Sequence, residues 1–368
     1  MTYTSDFIKN TWLVEGSVPY SENQVVDAFN EIQNTLGKGW LDRIKFSNGT
    51  EMTGPYVTIV AVELGLKLQV LKKGENYESL ITKLLSQNEI ERIKGLAELD
   101  AICFFCITND IVFELEPQVS RPGKTSSHPD FRVKKLNESE WTYVEVKQPD
   151  MSEENKSVQI IIEKIQKLFS GYNNYISLEL MLLHIPTEEE ITLIENKCSL
   201  LFSQADKKEI EIEGLGMIKI NYTETILYSP SEYHGFTDKP VFATLNSLVE
   251  KEENGIPTLK KLIACRIAVS DERASRFLIN ASEQLSDTSP NLIWIDGKNV
   301  PSIKNWANLI NKQFRDKPAL NRKVSGLVTF FSGIGLNNDI ISVITSKALI
   351  ENETSNFKIP DWIIDKLK

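Results

Sequence analysis

The chain has 368 residues, 41% hydrophobic and 25% charged, with a formal net charge of −10 at pH 7. This is the composition of an ordinary folded protein, and the length exceeds one minimal domain, so two units or one decorated domain are expected. The acidic balance counts against nonspecific wrapping of nucleic acid, because Lys and Arg supply that affinity by neutralising phosphates. No apolar run reaches membrane-spanning length, and the N-terminus, Met-Thr-Tyr-Thr-Ser-Asp, has no basic stretch followed by an apolar one. No membrane partner and a cytoplasmic location are therefore expected.

Residues 1–89 read as a mixed, mainly helical lead-in. Ser21-Glu22-Asn23-Gln24 opens a helix to about Leu36, with Val25, Val26, Phe29 and Ile32 at amphipathic spacing, and Gly-Lys-Gly-Trp breaks it. Val57 to Leu71 is β-branched at first and Leu-rich later, so strand and helix both fit; Tyr77 to Ser86 reads as a helix. Ile90 to Cys106 is a largely apolar helix, with Glu98 at the edge of its apolar stripe. Cys103 and Cys106 within it flank two phenylalanines, while Cys198 and Cys265 stand alone. No second CxxC is present to complete a zinc site, and buried thiols are expected.

Ile111 to Glu116 reads as a strand in which the alternation does not say which side is buried. The loop from Gln118 to Ser127 carries Arg121 and Lys124, two cations that could touch a phosphate backbone. Next comes a hairpin. Asp130, Arg132 and Lys134 share one face of its first strand, as Tyr143, Glu145 and Lys147 share one face of its second. If Asn137-Glu138-Ser139-Glu140 is the closing turn, Leu136 faces Trp141, and Asp130 lies opposite Lys147 and diagonal to Glu145. Two carboxylates and an amine then converge, a set suited to a hard divalent cation and to phosphodiester hydrolysis. His128 precedes the hairpin with no Ser or Asp partners in a triad, and reads as structural.

Asp150-Met-Ser-Glu153 reads as a capping box opening a long helix whose Val158, Ile161, Ile162, Ile165 and Phe169 pack on the sheet, and Ile176 to His184 as the strand after it. Downstream come a helix from Thr187 to Gln204 and a hairpin around Gly214 and Gly216. A linker-like stretch from Ser229 to Pro257 follows, and then α/β alternation from Leu262 to the end. Ser332-Gly-Ile-Gly335 lacks the phosphate-loop pattern, and no internal repeat is evident.

Pro129-Asp130, a gap, then Glu145-Val146-Lys147 resembles the PD-(D/E)xK nuclease superfamily. The resemblance spans about residues 90–185 and implies an α/β fold with a restriction-endonuclease-like αβββαβ core. It implies Asp130, Glu145 and the main-chain carbonyl of Val146 as metal ligands and Lys147 as the catalytic lysine. It extends to Glu98 as a third acidic ligand and to Gln159 as a polar residue near the site. The implied cofactor is Mg²⁺, for which Mn²⁺ can substitute. The implied activity is that of a metal-dependent endonuclease, a phosphodiesterase acting on DNA, of the restriction, phage-defence or repair kind. The alternative is a catalytically inactive nuclease-like scaffold binding nucleic acid or protein. The expected organisation is an N-terminal extension over 1–89, a nuclease-like domain over 90–225 and a C-terminal α/β domain over 226–368, the last serving a homodimer contact, a protein partner or substrate recognition.

Overall fold

The computed structural model describes residues 18–40, 55–119, 127–169, 176–204, 208–221, 241–251, 257–268, 273–300, 303–337 and 340–368. The helices α1 (Glu22–Leu36), α2 (Pro55–Leu71), α3 (Tyr77–Leu85) and α4 (Glu89–Cys106) precede the strands β1 (Ile111–Leu115), β2 (Phe131–Lys135) and β3 (Thr142–Lys147). Then follow α5 (Glu153–Phe169), β4 (Ile176–Leu182), α6 (Glu188–Ser203), β5 (Glu209–Ile212), β6 (Gly216–Asn221), β7 (Val241–Lys251) and β8 (Pro257–Ala268). The chain closes with α7 (Arg273–Ser282), β9 (Asn291–Asp296), α8 (Ile303–Asp316), α9 (Pro318–Asn321), β10 (Gly326–Asn337), β11 (Ile340–Glu351) and α10 (Asp361–Leu367).

Local chemistry accounts for several boundaries. Ser21 caps α1 in a reciprocal box with Gln24, and Gly37 ends it at φ +90, where a side chain would be strained. The ambiguous stretch before Leu71 is a helix that is apolar around most of its circumference, and it is buried against α1. An added Cβ at Gly65 would lie 2.6 Å from the Ala28 Cα, so the two helices touch backbone to backbone. The cap of α5 is Ser152, whose hydroxyl accepts from the Asn155 N–H at 3.1 Å, rather than the expected box from Asp150 to Glu153.

Two mixed α/β units result, each with its own sheet. Unit 1 comprises 1–149, 273–298 and 309–368, and holds a six-stranded sheet in the order β1-β2-β3-β9-β10-β11. Strands β1, β2 and β3 are antiparallel, β3 and β10 run parallel to β9 on its two sides, and β11 returns antiparallel to β10. Helix α4 packs on this sheet through an aromatic cluster in which Phe104 and Phe105 lie 5.2 and 5.6 Å from Trp294 and Phe104 lies 5.7 Å from Phe330, ring centre to ring centre. Helix α7 packs on β3 and β9, and β3 is buried along its length up to Lys147.

Unit 2 comprises 150–272 and 299–308, with a five-stranded sheet in the order β5-β6-β4-β8-β7. Its core gathers Val158, Ile161, Ile165 and Phe169 of α5 with Leu178 and Leu180 of β4 and Ile263, Cys265 and Ile267 of β8.

The arrangement corrects one expectation. Strand β4 does not complete the sheet of β1 to β3; it pairs with β6 and β8 in the other sheet, and the strand beside β3 is β9. The element order through unit 1 is therefore α4-β1-β2-β3-α7-β9, with unit 2 entering between β3 and α7. Each of the two units is made of more than one stretch of the chain. Within the expected linker, residues 241–251 form strand β7, while 229–240 and 252–256 lie outside the described residues. All four cysteines are free and buried, as expected, and burial pushes the Cys106 and Cys198 thiols up to about 12. Among the described residues no helix is long and apolar enough to cross a membrane.

A candidate acidic site on the unit 1 sheet

The site is built by register. Phe131 pairs with Val144 and Arg132 with Tyr143, which sets Asp130 level with Glu145 rather than opposite Lys147. The expected register is thus off by two. The turn does not close the hairpin tightly: Lys134 and Lys135 pair only with β1, and the connection is tied elsewhere, by the Leu136 N–H to the Asp110 carbonyl at 2.8 Å and by Trp362 Nε1 to Glu138 at 3.1 Å. A shift of two residues preserves faces, so Asp130 and Glu145 still share one. On the other flank the register of β1 brings Glu116 level with Asp130, and the Glu116 N–H donates to the Asp130 carbonyl at 2.9 Å. Glu116 itself has φ +48, a left-handed backbone that is uncommon outside glycine. His128, which is exposed, approaches its carbonyl at 3.4 Å.

Each acidic side chain has a distinct environment. Glu145 is buried; one of its oxygens accepts from the Lys147 ammonium, and the other, Oε2, is buried with no hydrogen-bond partner. Asp130 accepts from the Val146 N–H at 2.6 Å. Glu98 is buried, and both its oxygens accept from Lys83 Nζ, at 3.1 and 2.9 Å. The same ammonium lies 3.2 Å from Glu116, so one lysine of α3 bridges α4 and the end of β1.

Electrostatics tie the four carboxyls together. Burial, and then the nearby Asp130, push Glu145 up to about 8. Burial and Asp130 likewise push Glu98 up to about 7, against the pull of Lys83. Asp130 is raised by its enclosure despite the Val146 N–H and the two lysines. For Lys83, burial would favour the neutral amine, but Glu98 outweighs it and its pKa rises. Crowded carboxyls that resist ionisation are the usual mark of a site lacking enough positive charge. The buried Asp296 at the end of β9 differs: Gln148 Nε2 at 3.5 Å and the Lys298 N–H at 3.1 Å serve its two oxygens.

Unit 1 thus brings Glu98, Asp130, Glu145, Val146 and Lys147 into one neighbourhood. Gln159 lies half-buried on α5 in unit 2, outside the unit that carries the carboxyls. Arg121 and Lys124 lie outside the described residues. Lys83 escaped the sequence reading. Its signal was a lysine three residues after the buried Leu80, on the edge of the apolar stripe of α3, where it reads as a solvated charge. Its position depends on Gly95: an added Cβ there would stand 3.2 Å from the Lys83 Cβ, so α3 rests on α4 one turn before Glu98.

An oxygen-only donor set with one buried, unpartnered carboxylate oxygen fits a hard divalent cation. Among the described residues, however, no three His, Cys, Asp or Glu side chains are gathered tightly enough to hold a metal ion by themselves. No protein-family model, curated protein or solved structure matches the chain.

Proposed function

We propose that the chain is a divalent-metal-dependent nuclease acting on DNA, with a restriction-endonuclease-like catalytic core in unit 1. The observation that carries the reading is the β2–β3 register that sets Asp130 level with Glu145, with Lys147 on Glu145 and the Glu145 Oε2 left without a partner. The order α4-β1-β2-β3-α7-β9, with β9 parallel to β3, supports it, since this is an αβββαβ sequence interrupted after its third strand. Asp130, Glu145 and the Val146 carbonyl would hold Mg²⁺ or Mn²⁺. When bound, such an ion supplies Lewis-acid polarisation of a phosphate oxygen and makes a bound water more acidic.

The chain's own groups do the rest. The Val146 N–H fixes the rotamer of Asp130, so that carboxylate is oriented before any ligand arrives. Lys147 donates to Glu145 and cannot ligate a metal while its amine carries that donor proton; swinging from Glu145, it would orient a water or donate to a phosphate oxygen. Glu98 is held by Lys83 and adds its charge to the field of the site.

The test is incubation of plasmid, linear and single-stranded DNA, and of RNA, with Mg²⁺ or Mn²⁺ and with chelator, using the wild type and Glu145→Gln. Metal-dependent cleavage of DNA by the wild type alone is the expected result. A second reading, a nuclease-like scaffold that binds nucleic acid or protein without cleaving, is favoured by the lack of a closed three-ligand cluster among the described residues. It predicts binding without cleavage in every arm.

A further inference from the structure

Resting on that reading, we infer that Lys83 is a built-in counter-cation that restricts the acidic site to a single divalent ion. Two ammonium groups serve four carboxyls in this neighbourhood: Lys83 joins Glu98 to Glu116, whose N–H bonds the Asp130 carbonyl, and Lys147 sits on Glu145. The carboxyls outnumber the ammonium groups by two, a difference that one divalent cation balances.

The distribution of the ammonium groups is uneven. Lys147 takes one oxygen of Glu145 and leaves Oε2 bare, so the Asp130 and Glu145 side of the site has room for a cation. Lys83 takes both oxygens of Glu98 and reaches Glu116 as well. In a two-metal site the ions stand about 3.5–4 Å apart and share a carboxylate ligand set. A second ion using Glu98 would have to compete with an ammonium already bonded to both of that residue's oxygens.

The placement of Lys83 is imposed by the fold. Its stem is held where α3 rests on Gly95 of α4, which sets Nζ over Glu98 one turn later. On the far side, Glu116 is brought to it by a left-handed backbone whose N–H is pinned to Asp130. A left-handed glutamate is tolerated only where its surroundings over-determine it. Lys83 touches no reacting group in this scheme; it sets how many cations the carboxyls can accept.

Lys83→Met removes the charge and keeps the stem, and Lys83→Arg keeps the charge. Mn²⁺ is titrated into each full-length protein by calorimetry, and spin coupling between bound Mn²⁺ ions is followed by electron paramagnetic resonance. One uncoupled Mn²⁺ per chain is expected for the wild type and for Lys83→Arg, and two coupled ions for Lys83→Met. Two ions in the wild type would overturn the inference without recourse to any variant, and so would a single ion of unchanged affinity in a folded Lys83→Met. If the wild type binds no Mn²⁺ at all, the metal-site reading falls and this inference with it. A single ion in both wild type and variant leaves that reading standing and removes only the role of Lys83.

Discussion

Replacing Glu145 by glutamine is expected to stabilise the metal-free protein, and to do so only as pH rises. The carboxyl is buried, stands at about 8 because of burial and Asp130, and has one oxygen with no partner. Its ordinary value is 4.5, so below that pH both folded and unfolded chains hold the proton and the residue carries no differential cost. Between 4.5 and about 8 the unfolded chain releases its proton while the fold retains it, and stability falls with pH; above about 8 the fall is complete. At about 1.4 kcal/mol per pH unit the whole span bounds the loss at about 5 kcal/mol. Titration shared with Asp130 reduces the expected gain to about 2 kcal/mol. The assay is urea unfolding in chelator at pH 5 and pH 8.5, followed by fluorescence of Trp294 and the other tryptophans. The curves of wild type and Glu145→Gln should nearly coincide at pH 5 and separate at pH 8.5, with the variant the more stable. Saturating Mn²⁺ should reverse the order, since only the wild type gains from ligand binding. A variant that is no more stable at pH 8.5, or a gap that ignores pH, would refute the reasoning.

Asp130→Asn should abolish Mn²⁺ binding in a calorimetric titration while keeping the fold, because the amide oxygen can still accept from the Val146 N–H; an unchanged affinity would remove Asp130 from the metal site. Lys147→Ala should retain Mn²⁺ binding and lose cleavage by about 10²-fold or more, as for a positioned catalytic group, and wild-type rates in this variant would end its catalytic role. Away from the site, the fully buried Asn291 donates to the carbonyls of Ser286, Ser289 and Lys323 and accepts from the Ser286 N–H. Asn291→Ala leaves those groups unsatisfied and should cost on the order of 3 kcal/mol in urea unfolding; a loss under about 1 kcal/mol would mean that water replaces the side chain.

What could be read in advance was whatever depends on nearest neighbours in sequence. The caps of α1 at Ser21 and of α6 at Thr187 are closed by side chains three residues away, so their boundaries were visible. The shared face of Asp130 and Glu145 was visible too, because alternation assigns sides whatever the register. The register itself was not, since it depends on Glu138 and Leu136 being held by Trp362 and Asp110 rather than by the turn. Val57 to Leu71 gave no period, because a helix buried around most of its surface has no polar face to mark it. Lys83 was invisible for a related reason. Nothing in its helix separates it from a solvated lysine, and only the approach of Gly95 and the burial of Glu98 turn it into part of the site.

The misplacement of β4 has a physical basis in the parallel pairing of β3 with β9. Antiparallel strands can be joined by a short turn, so β1, β2 and β3 follow one another closely and their order is apparent from the chain. A parallel pair requires a crossover, and the closure cost of a connection grows only with the logarithm of its length, so a long crossover is barely dearer than a short one. The segment 150–272 uses that tolerance: it contains α5 and β4, which mimic the expected helix and strand in spacing and apolarity, but their apolar faces are consumed by β6, β8 and α6. The strand that does pair with β3 arrives at Asn291, after α7, and only then does the Tyr143–Asn291 to Lys147–Ile295 ladder enclose the Glu145 strand on its second edge. Burial of Glu145, and with it the strain on its carboxyl, therefore depends on residues almost 150 positions downstream. The face that Glu145 shares with Lys147 can be read from the strand's own residues; what raises the Glu145 carboxyl toward neutrality is supplied by the far side of the insertion.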